Sequence, residues 1–485
     1  MAEVSQRSHL GHPSPEDVRA VDQELSELTP LLDPIQQKLH DHPGRKAEVS
    51  LRALFAYFLC NEKAENKTTL QNALIVGRAL PPEVRVGWGD ISPDPSYAQL
   101  HRLFTRFVRL HKGGNLGGEI SKMDELFNRL FQAQLDATNI DFGSVEAADG
   151  TVFRTTARER FRPPNDEEKK WNEENGRDRN SKIPWTVDPD AALGHYPSKG
   201  GQTKFATGFE AHLTVPVPDG PRKMPIVVSS MTVQRNATTD RTALRSLAIS
   251  RKHRIKTLIV DAGYDRKGEE SFQRLHLEGI AIIFDPNKKL RQGKTRTHGA
   301  LIIDGDLYCP NMPKRLRRLP DFAKNMAKGE SAKLEALYDE RDRYRFERKA
   351  YGPDKVRSMC PAQALKVKCT GVPVSLNNPR TDIPYVEAPE DRPKCCTQVT
   401  ITTKTEQLRR SRQGHYAYGT SKWRRLYAQR NRAESYNADF RHNIGNFEER
   451  KWCAVMGRVK MTFMFGIKLL ATNMRKIANF LADSS

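Results

Sequence analysis

Three acidic residues far apart in the chain are the candidates for chemistry: Asp149, Asp261 and Glu434. Carboxylate oxygens are ligands that Mg²⁺ prefers. Two such ions about 4 Å apart can activate an attacking hydroxyl and stabilise a leaving oxygen, which is what phosphodiester cleavage requires. Long stretches of chain separate the three acids, so they can meet only through folding.

The setting of Asp261 favours a ligand site at the end of a strand. It follows the apolar run Thr257–Val260 and precedes Ala262 and Gly263. Open α/β sheets bind ligands at the carboxyl ends of their strands, and a glycine leaves room for a ligand. The alternative is an ordinary turn or capping aspartate.

Asp149 lies within a second strand-like segment, Ser144–Arg154, and is followed by Gly150. The alternative here is an aspartate that faces solvent. Asp141 and Glu146 are competing acids nearby, and the sequence ranks the three only loosely.

Glu434 belongs to a helical pattern in which it shares one face with Tyr427, Arg430 and Arg441. At about 100° per residue these four side chains fall within about 60° of one another. The acid could bind metal while the two arginines hold phosphates on either side. The alternative is a series of salt bridges on an exposed helix, which is common.

The elements that must position these residues begin with helices. Ser14 and Pro15 are typical of a helix start, a second helix is predicted over Val49–Cys60, and a third follows Ser92–Pro95. In the third, one face carries arginines that either form a solvated surface or contact DNA phosphates: Arg102, Arg106 and Arg109.

From about Ile140 the pattern changes to strands and helices, which predicts an α/β fold with a mixed sheet. The predicted elements are, in order, strands Ser144–Arg154, Phe205–Val217 and Pro225–Val233, helix Asp240–Arg251, strand Thr257–Val260, helix Lys267–Leu277 and strand Ile280–Phe284. The charged segment from the 160s to Ser198 is expected to be a surface excursion.

Four regions are predicted along the chain. Residues 1–138 form a helical domain for DNA binding or dimerisation, and 139–285 form the first part of the core. A basic insertion domain over 286–419 includes a strand at Thr397–Thr403, and helices over 420–485 complete the core.

The charge of the chain points to a polyanionic partner. Its 485 residues include 80 Lys and Arg against 59 Asp and Glu, a formal charge of +21, which favours nucleic acid over an anionic membrane or a merely basic protein. The most apolar stretch, Val455–Ala471, contains three cations and predicts no membrane span. The first residues lack the apolar core of a signal peptide, so a cytoplasmic location is expected.

Other possible sites are weaker. Five cysteines fall in or near the insertion: Cys309, Cys360, Cys369, Cys395 and Cys396. Four thiolates could hold zinc, yet no CxxC pair is present, so ordinary reduced cysteines are expected. His212 is expected to be structural or a neighbour of the acids, and Trp423 to pack in the core. No glycine-rich phosphate loop is present, which argues against ATP use.

The helical signature Tyr427-x2-Arg430-x3-Glu434-x6-Arg441 resembles the Y-R-E-K signature of DDE transposases from bacterial insertion sequences, with Arg441 in place of the usual lysine. The segments that resemble the family's other motifs are Ala148–Thr151 for the first acid, Val260–Asp265 for the second, and Thr207–His212 and Asn236–Asp240 between them.

This resemblance implies an RNase H-like sheet flanked by helices, with an insertion before the third acid. It implies Mg²⁺, for which Mn²⁺ can substitute, at Asp149, Asp261 and Glu434. Tyr427, Arg430 and Arg441 would contact double-stranded DNA at terminal inverted repeats, in a homodimer or larger complex in the bacterial cytoplasm, on the nucleoid. Two other functions stay open: a catalytically silent DNA-binding protein and a nuclease without strand transfer.

Overall fold

The structure is a computed structural model. It describes residues 10–40, 48–113, 120–174, 176, 178–197, 203–235, 254–261, 264, 275–276, 278–286, 295–320, 328–351, 355–408, 413–414, 416–441 and 452–484. The predicted helix over 240–251 and most of the one over 267–277 lie outside these residues.

The N-terminal part is helical, as predicted. Its helices are α1 (Pro15–His40), α2 (Leu51–Lys63), α3 (Leu70–Ala79), α4 (Pro82–Gly87), α5 (Tyr97–Leu110) and α6 (Lys122–Asp136). Side-chain caps explain where several begin. The hydroxyl of Ser14 accepts the N–H of Asp17 at 3.1 Å, and Ser50 and Ser96 cap α2 and α5 in the same way.

The arginine face of α5 is divided in the structure. The guanidinium of Arg106 donates to the carbonyl of Leu39 in α1, so it joins two helices. Arg102 and Arg109 are exposed. Only these two remain candidates for phosphate contacts.

A mixed sheet follows, flanked by helices. Its strands are β1 (Val145–Arg154), β4 (Ala192–Pro197), β5 (Thr203–Pro216), β6 (Ser230–Arg235), β7 (Thr257–Ile259) and β8 (Ala281–Ile283). The order is β4-β5-β1-β7-β8, with β6 also paired to β5. The pairs that involve β5 are antiparallel, whereas β1, β7 and β8 run parallel. The α/β class is therefore confirmed.

Two strand predictions need correction. The third strand starts at Ser230 instead of Pro225, because the backbone of Val228 pairs with the side chain of Asn473 at 2.9 and 2.8 Å and not with a strand. The segment from the 160s to Ser198 is only partly a surface excursion. It forms β2 (Glu159–Arg162), α7 (Asp166–Glu174) and β3 (Ile183–Thr186), and then enters the main sheet as β4.

One large core joins the N-terminal helices, one face of the sheet and the last helices. These are α12 (Ser421–Tyr427), α13 (Arg430–Asp439) and α14 (Arg458–Ser484), numbered after the helices of the insertion given below. Phe463 of α14 packs edge-on against Phe55 and Phe58 of α2. Helices on both sides of residue 138 share this core, and the domain boundary there stays a prediction.

Residues 295–408 build a second core of their own. Their elements are β9 (Thr295–Thr297), β10 (Ala300–Ile303), β11 (Asp306–Tyr308), α8 (Lys314–Arg317), α9 (Lys328–Asp342), β12 (Glu347–Tyr351), β13 (Lys355–Met359), β14 (Lys368–Cys369), α10 (Pro373–Leu376), β15 (Tyr385–Val386), α11 (Lys394–Thr397) and β16 (Thr400–Lys404). The strand predicted from Thr397 begins three residues later because α11 occupies its start.

Across the described ranges, no helix is long and apolar enough to cross a membrane.

Candidate active site

The first two acids lie on neighbouring parallel strands. Asp149 is in the middle of β1, and Asp261 comes two residues after β7 ends. The register pairs Ala147 of β1 with Ile259 of β7, so each acid stands two residues further along its strand. Parallel strands are about 4.8 Å apart, and residues two apart face the same side, so both carboxylates occupy one side of the sheet.

Helix α13 supplies the third acid and covers that side of the sheet. It contacts β1, and the amide of Asn437 donates to Oδ2 of Asp149 at 2.9 Å. Glu434 lies one helical turn before Asn437, with 45% of its side chain exposed. Its Oε1 is 2.6 Å from Nη2 of Arg430, one turn earlier again. The structure thus brings Glu434 to the sheet on the same helix that binds Asp149.

The helical pattern that the sequence predicts around Glu434 is divided between two helices, α12 and α13. Ala428 and Gln429 separate α12 from α13, although both keep helical backbone angles. The predicted common face survives this break, because the guanidinium of Arg430 lies over the ring of Tyr427 at 5.8 Å. Trp423 is buried and stacks on Tyr427 at 4.7 Å, which confirms its predicted place in the core.

The charges of this group act on one another. Burial raises the pKa of Asp149, and the negative charges of Asp261 and Glu434 raise it further, while Asn437 and Arg430 lower it. Burial also raises the pKa of Tyr427 to about 12, opposed by Arg430. Arg430 therefore sits at the centre of the acids and partly offsets the repulsion among them.

The donor set suits a hard divalent cation. Three carboxylates are oxygen ligands, and Oδ1 of Asn437, buried beside Asp149, has no hydrogen-bond partner. No three His, Cys, Asp or Glu side chains in the described part of the chain stand close enough together to hold one ion. Glu434 forms an ion pair with Arg430. For all three carboxylates to bind one ion, Glu434 would have to leave Arg430 and turn toward the two aspartates.

Arg441 connects the end of α13 to the sheet. It lies in a wider π turn after α13 and donates to the hydroxyl of Thr151 at 3.0 Å. Thr151 is two residues beyond Asp149 and so faces the same side. The structure therefore places all six predicted site residues along one side of the sheet, with Arg441 at the far end.

The predictions omitted Asn437 as a partner of Asp149. Its position three residues after Glu434 put it on the same helical face and was the available signal. His212 is not part of the group: it pairs with Gly150 on the opposite side of the sheet, and its Nδ1 is 2.9 Å from the hydroxyl of Tyr264.

The competing acids have other surroundings. Asp141 is exposed and forms an ion pair with Arg222. Glu146 is buried at the start of β1, three residues before Asp149, and an odd separation directs it to the other face of the sheet. Neither joins Asp261 and Glu434.

A large open groove lies at the other end of the same strands. It encloses about 1010 Å³ and reaches the first residues of β1 and β7 as well as the α12–α13 junction. Its cations are Lys256, Lys422 and Arg425, against the single acid Asp219. The groove is thus basic, and it adjoins the start of α13, the helix that carries Glu434.

Comparison with known proteins adds no assignment. The chain matches no protein-family model, and it matches none of the curated proteins. The functional argument depends on the geometry described above.

Proposed function

We propose that this protein is a DNA transposase that cleaves the ends of its mobile element and joins them to target DNA by divalent-metal-dependent phosphoryl transfer. The observation that carries the proposal is the meeting of Asp149, Asp261 and Glu434, which are distant in sequence, on one side of the sheet. Their charges act on one another, and an arginine lies among them. Structural acids seldom have reason to accumulate against mutual repulsion.

The finer fold in this proposal is an RNase H-like catalytic domain. The strand order supports it: leaving β4 aside, the strands run third, second, first, fourth, fifth across the sheet as β6-β5-β1-β7-β8. The first three are antiparallel and the last two are parallel to the first. This order places the first and fourth strands side by side, which is what allows acids from both to share a site.

In the proposed mechanism Asp149, Asp261 and Glu434 would hold Mg²⁺, or Mn²⁺ in its place. Bound there, the metal would supply positive charge to the attacking and leaving oxygens of the phosphodiester. Asn437 holds the carboxylate of Asp149 in position through its amide. Arg430 now pairs with Glu434; with Glu434 holding the metal, its guanidinium would be available to bind a phosphate oxygen.

Binding of DNA is supported by charge near the site. The net charge of +21 and the basic groove at the base of β1 both favour a polyanion. In the proposal Tyr427, Arg430 and Arg441 contact the DNA around the cleaved strand. A homodimer or larger assembly would hold two element ends together, on the nucleoid of a bacterial cytoplasm.

The test is a cleavage and joining assay with Mg²⁺ or Mn²⁺, using duplexes that carry the DNA flanking the coding sequence. Asp149→Asn, Asp261→Asn and Glu434→Gln each remove charge with little change of shape. We expect each to abolish both reactions while leaving binding of the duplex within a few fold. Asp141→Asn is the matched control, because this acid is exposed and outside the group.

The other outcomes discriminate between functions. Normal cleavage by Glu434→Gln would refute the proposed site. Cleavage by the wild type without joining would favour a nuclease, and binding without cleavage would favour a silent DNA-binding protein.

A further inference from the structure

Five cysteines of the insertion line one small cavity. Cys309, Cys360, Cys369 and the adjacent pair Cys395 and Cys396 come from four separate segments and surround a space of about 20 Å³, room for about one water molecule or ion. All five are free thiols. This convergence was not visible in the sequence, where their spacing is irregular.

Two of these segments have the same local structure. Cys309 and Cys360 each follow a strand and each precede a proline. Each cysteine therefore lines the cavity just beyond a strand end, and the proline restricts the backbone that follows it.

The adjacent cysteines Cys395 and Cys396 both line the cavity, and their surroundings differ. The charge of a thiolate at Cys309 would be felt by Cys360, Cys369 and Cys396. Cys395 has its sulfur directed toward Gly299, where an added Cβ would lie 3.4 Å from it, and stands 3.8 Å from the sulfur of Cys396. Cys395 also lines the cavity and lies near Cys309 and Cys360. We assign Cys396 as the fourth ligand because the sulfur of Cys395 packs against Gly299.

The cavity suits a single soft cation. Five of its lining residues are cysteines, and apart from Glu387 the others are apolar. A divalent ion bound there would take the sulfurs as thiolates, because coordination deprotonates a thiol even where burial opposes it.

We propose that Cys309, Cys360, Cys369 and Cys396 bind one structural Zn²⁺. The four thiols lose four protons to solvent and form four Zn–S bonds in a closed tetrahedron, which leaves no position for substrate. Among the described residues, no three His, Cys, Asp or Glu side chains lie close enough together to bind one ion. The four cysteine side chains would therefore rotate toward the cavity when they bind zinc. The site would fix β11, β13 and β14 relative to one another, and it does not depend on the proposed transposase activity.

The experiment measures zinc in the full-length chain, purified without chelator from cells supplied with Zn²⁺. We expect about one zinc per wild-type chain, and less than about a tenth of that in Cys309→Ser and Cys360→Ser, because a closed structural site uses all four ligands. Cys60→Ser is the matched control: this cysteine is equally buried but lies in α2, within the main core. Its zinc content should equal that of the wild type.

A second measurement separates loss of a ligand from loss of folding. Co²⁺ added to the metal-free chain should give the visible absorption of a tetrahedral thiolate site. Cys309→His keeps a ligand, so it should still bind Co²⁺ with a weaker sulfur charge-transfer band. The proposal is overturned if the wild type binds neither metal, if Cys309→Ser and Cys360→Ser retain full zinc, or if thiol titration shows these cysteines joined in disulfides.

Discussion

Two regions of this protein gather potential metal ligands in opposite ways. We call Asp149, Asp261 and Glu434 the acid site, and Cys309, Cys360, Cys369 and Cys396 the cysteine cluster. The acid site uses oxygen ligands on two strands and a helix, and Glu434 is 45% exposed. The cysteine cluster uses sulfur ligands from separate segments around a small cavity of the insertion.

The difference teaches what each arrangement is fitted to do. Hard oxygen ligands at an open edge exchange their ion readily and leave room for water and phosphate. Soft sulfur ligands that enclose a cavity exclude substrate and stabilise the fold around them. The charged surroundings also differ. Arg430 stands among the acids, whereas the described residues that line the cavity of the cysteine cluster include no Lys or Arg.

The largest expected effect comes from brief chelation. A short EDTA treatment should reduce DNA cleavage by at least about a thousandfold, since the ion at the acid site contributes several kcal/mol to the transition state. Added Mg²⁺ should restore it fully, while the zinc content stays constant because the cysteine cluster is closed. Cleavage rate and zinc content are measured on the same samples. If zinc and activity were lost together, EDTA would reach the metal of the cysteine cluster as easily as that of the acid site, and the proposed difference between the two would be wrong.

The next effect tests whether the insertion is held by its own buried contacts. Arg341 of α9 is buried, 2.6 Å from Asp304, with its guanidinium 4.5 Å from the ring centre of Tyr338. Arg341→Met should cost about 3–5 kcal/mol, because it leaves the carboxylate of Asp304 buried without its cation. Urea denaturation, followed by a spectroscopic signal from the insertion, measures this change in the free energy of unfolding.

Its control is an exposed ion pair to the same helix, made by Arg315 of α8. Arg315 pairs with Glu340 of α9 at 2.5 Å, but the arginine is 58% exposed. Arg315→Met should cost no more than about 1 kcal/mol. Equal losses for the two variants would mean that burial does not govern the stability of this region.

A smaller effect, of opposite sign, is expected at the acid site. The pKa of Asp149 is raised in the folded state, so ionisation of this residue costs stability as pH rises from the ordinary value of 3.8 through the raised pKa. Asp149→Asn should therefore stabilise the metal-free protein, by about 1 kcal/mol, the scale of single stabilising substitutions. Thermal unfolding at pH 7 and again at low pH measures it. The gain should vanish at low pH, and a gain that persisted there would not come from ionisation.

The smallest effect is a displacement of a pH profile. Metal binding requires the ionised form of Asp149, so cleavage should decline as pH falls through its raised pKa, above the 3.8 of an ordinary aspartate. Asn437→Ala removes a hydrogen bond that lowers this pKa and should move the decline to higher pH. The cleavage rate is followed against pH with duplex binding recorded in parallel. An unchanged profile would mean that Asn437 does not act through Asp149.

Much of the acid site could be predicted because its signals are local. A short apolar run before Asp261, glycine after Asp149 and helical spacing around Glu434 each follow from strand or helix geometry. The shift of the third strand was not predictable, because the backbone of Val228 is paired by Asn473 from the far end of the chain.

The cysteine cluster shows the limit of such patterns. Its ligands come from separate segments without a CxxC pair, so spacing gave no reason to join them. Only the packing of the insertion places the sulfurs of Cys309 and Cys360 around one cavity.

The sequence by itself determined the charge of the chain and the α/β class, and it singled out the three acids as candidates, because composition and periodicity are properties of neighbouring residues. Tertiary structure alone decided that β1 and β7 lie side by side, that Arg430 stands among the acids, and that distant cysteines share one cavity. Such contacts depend on which elements bury their apolar faces together, and no single stretch of sequence contains that information.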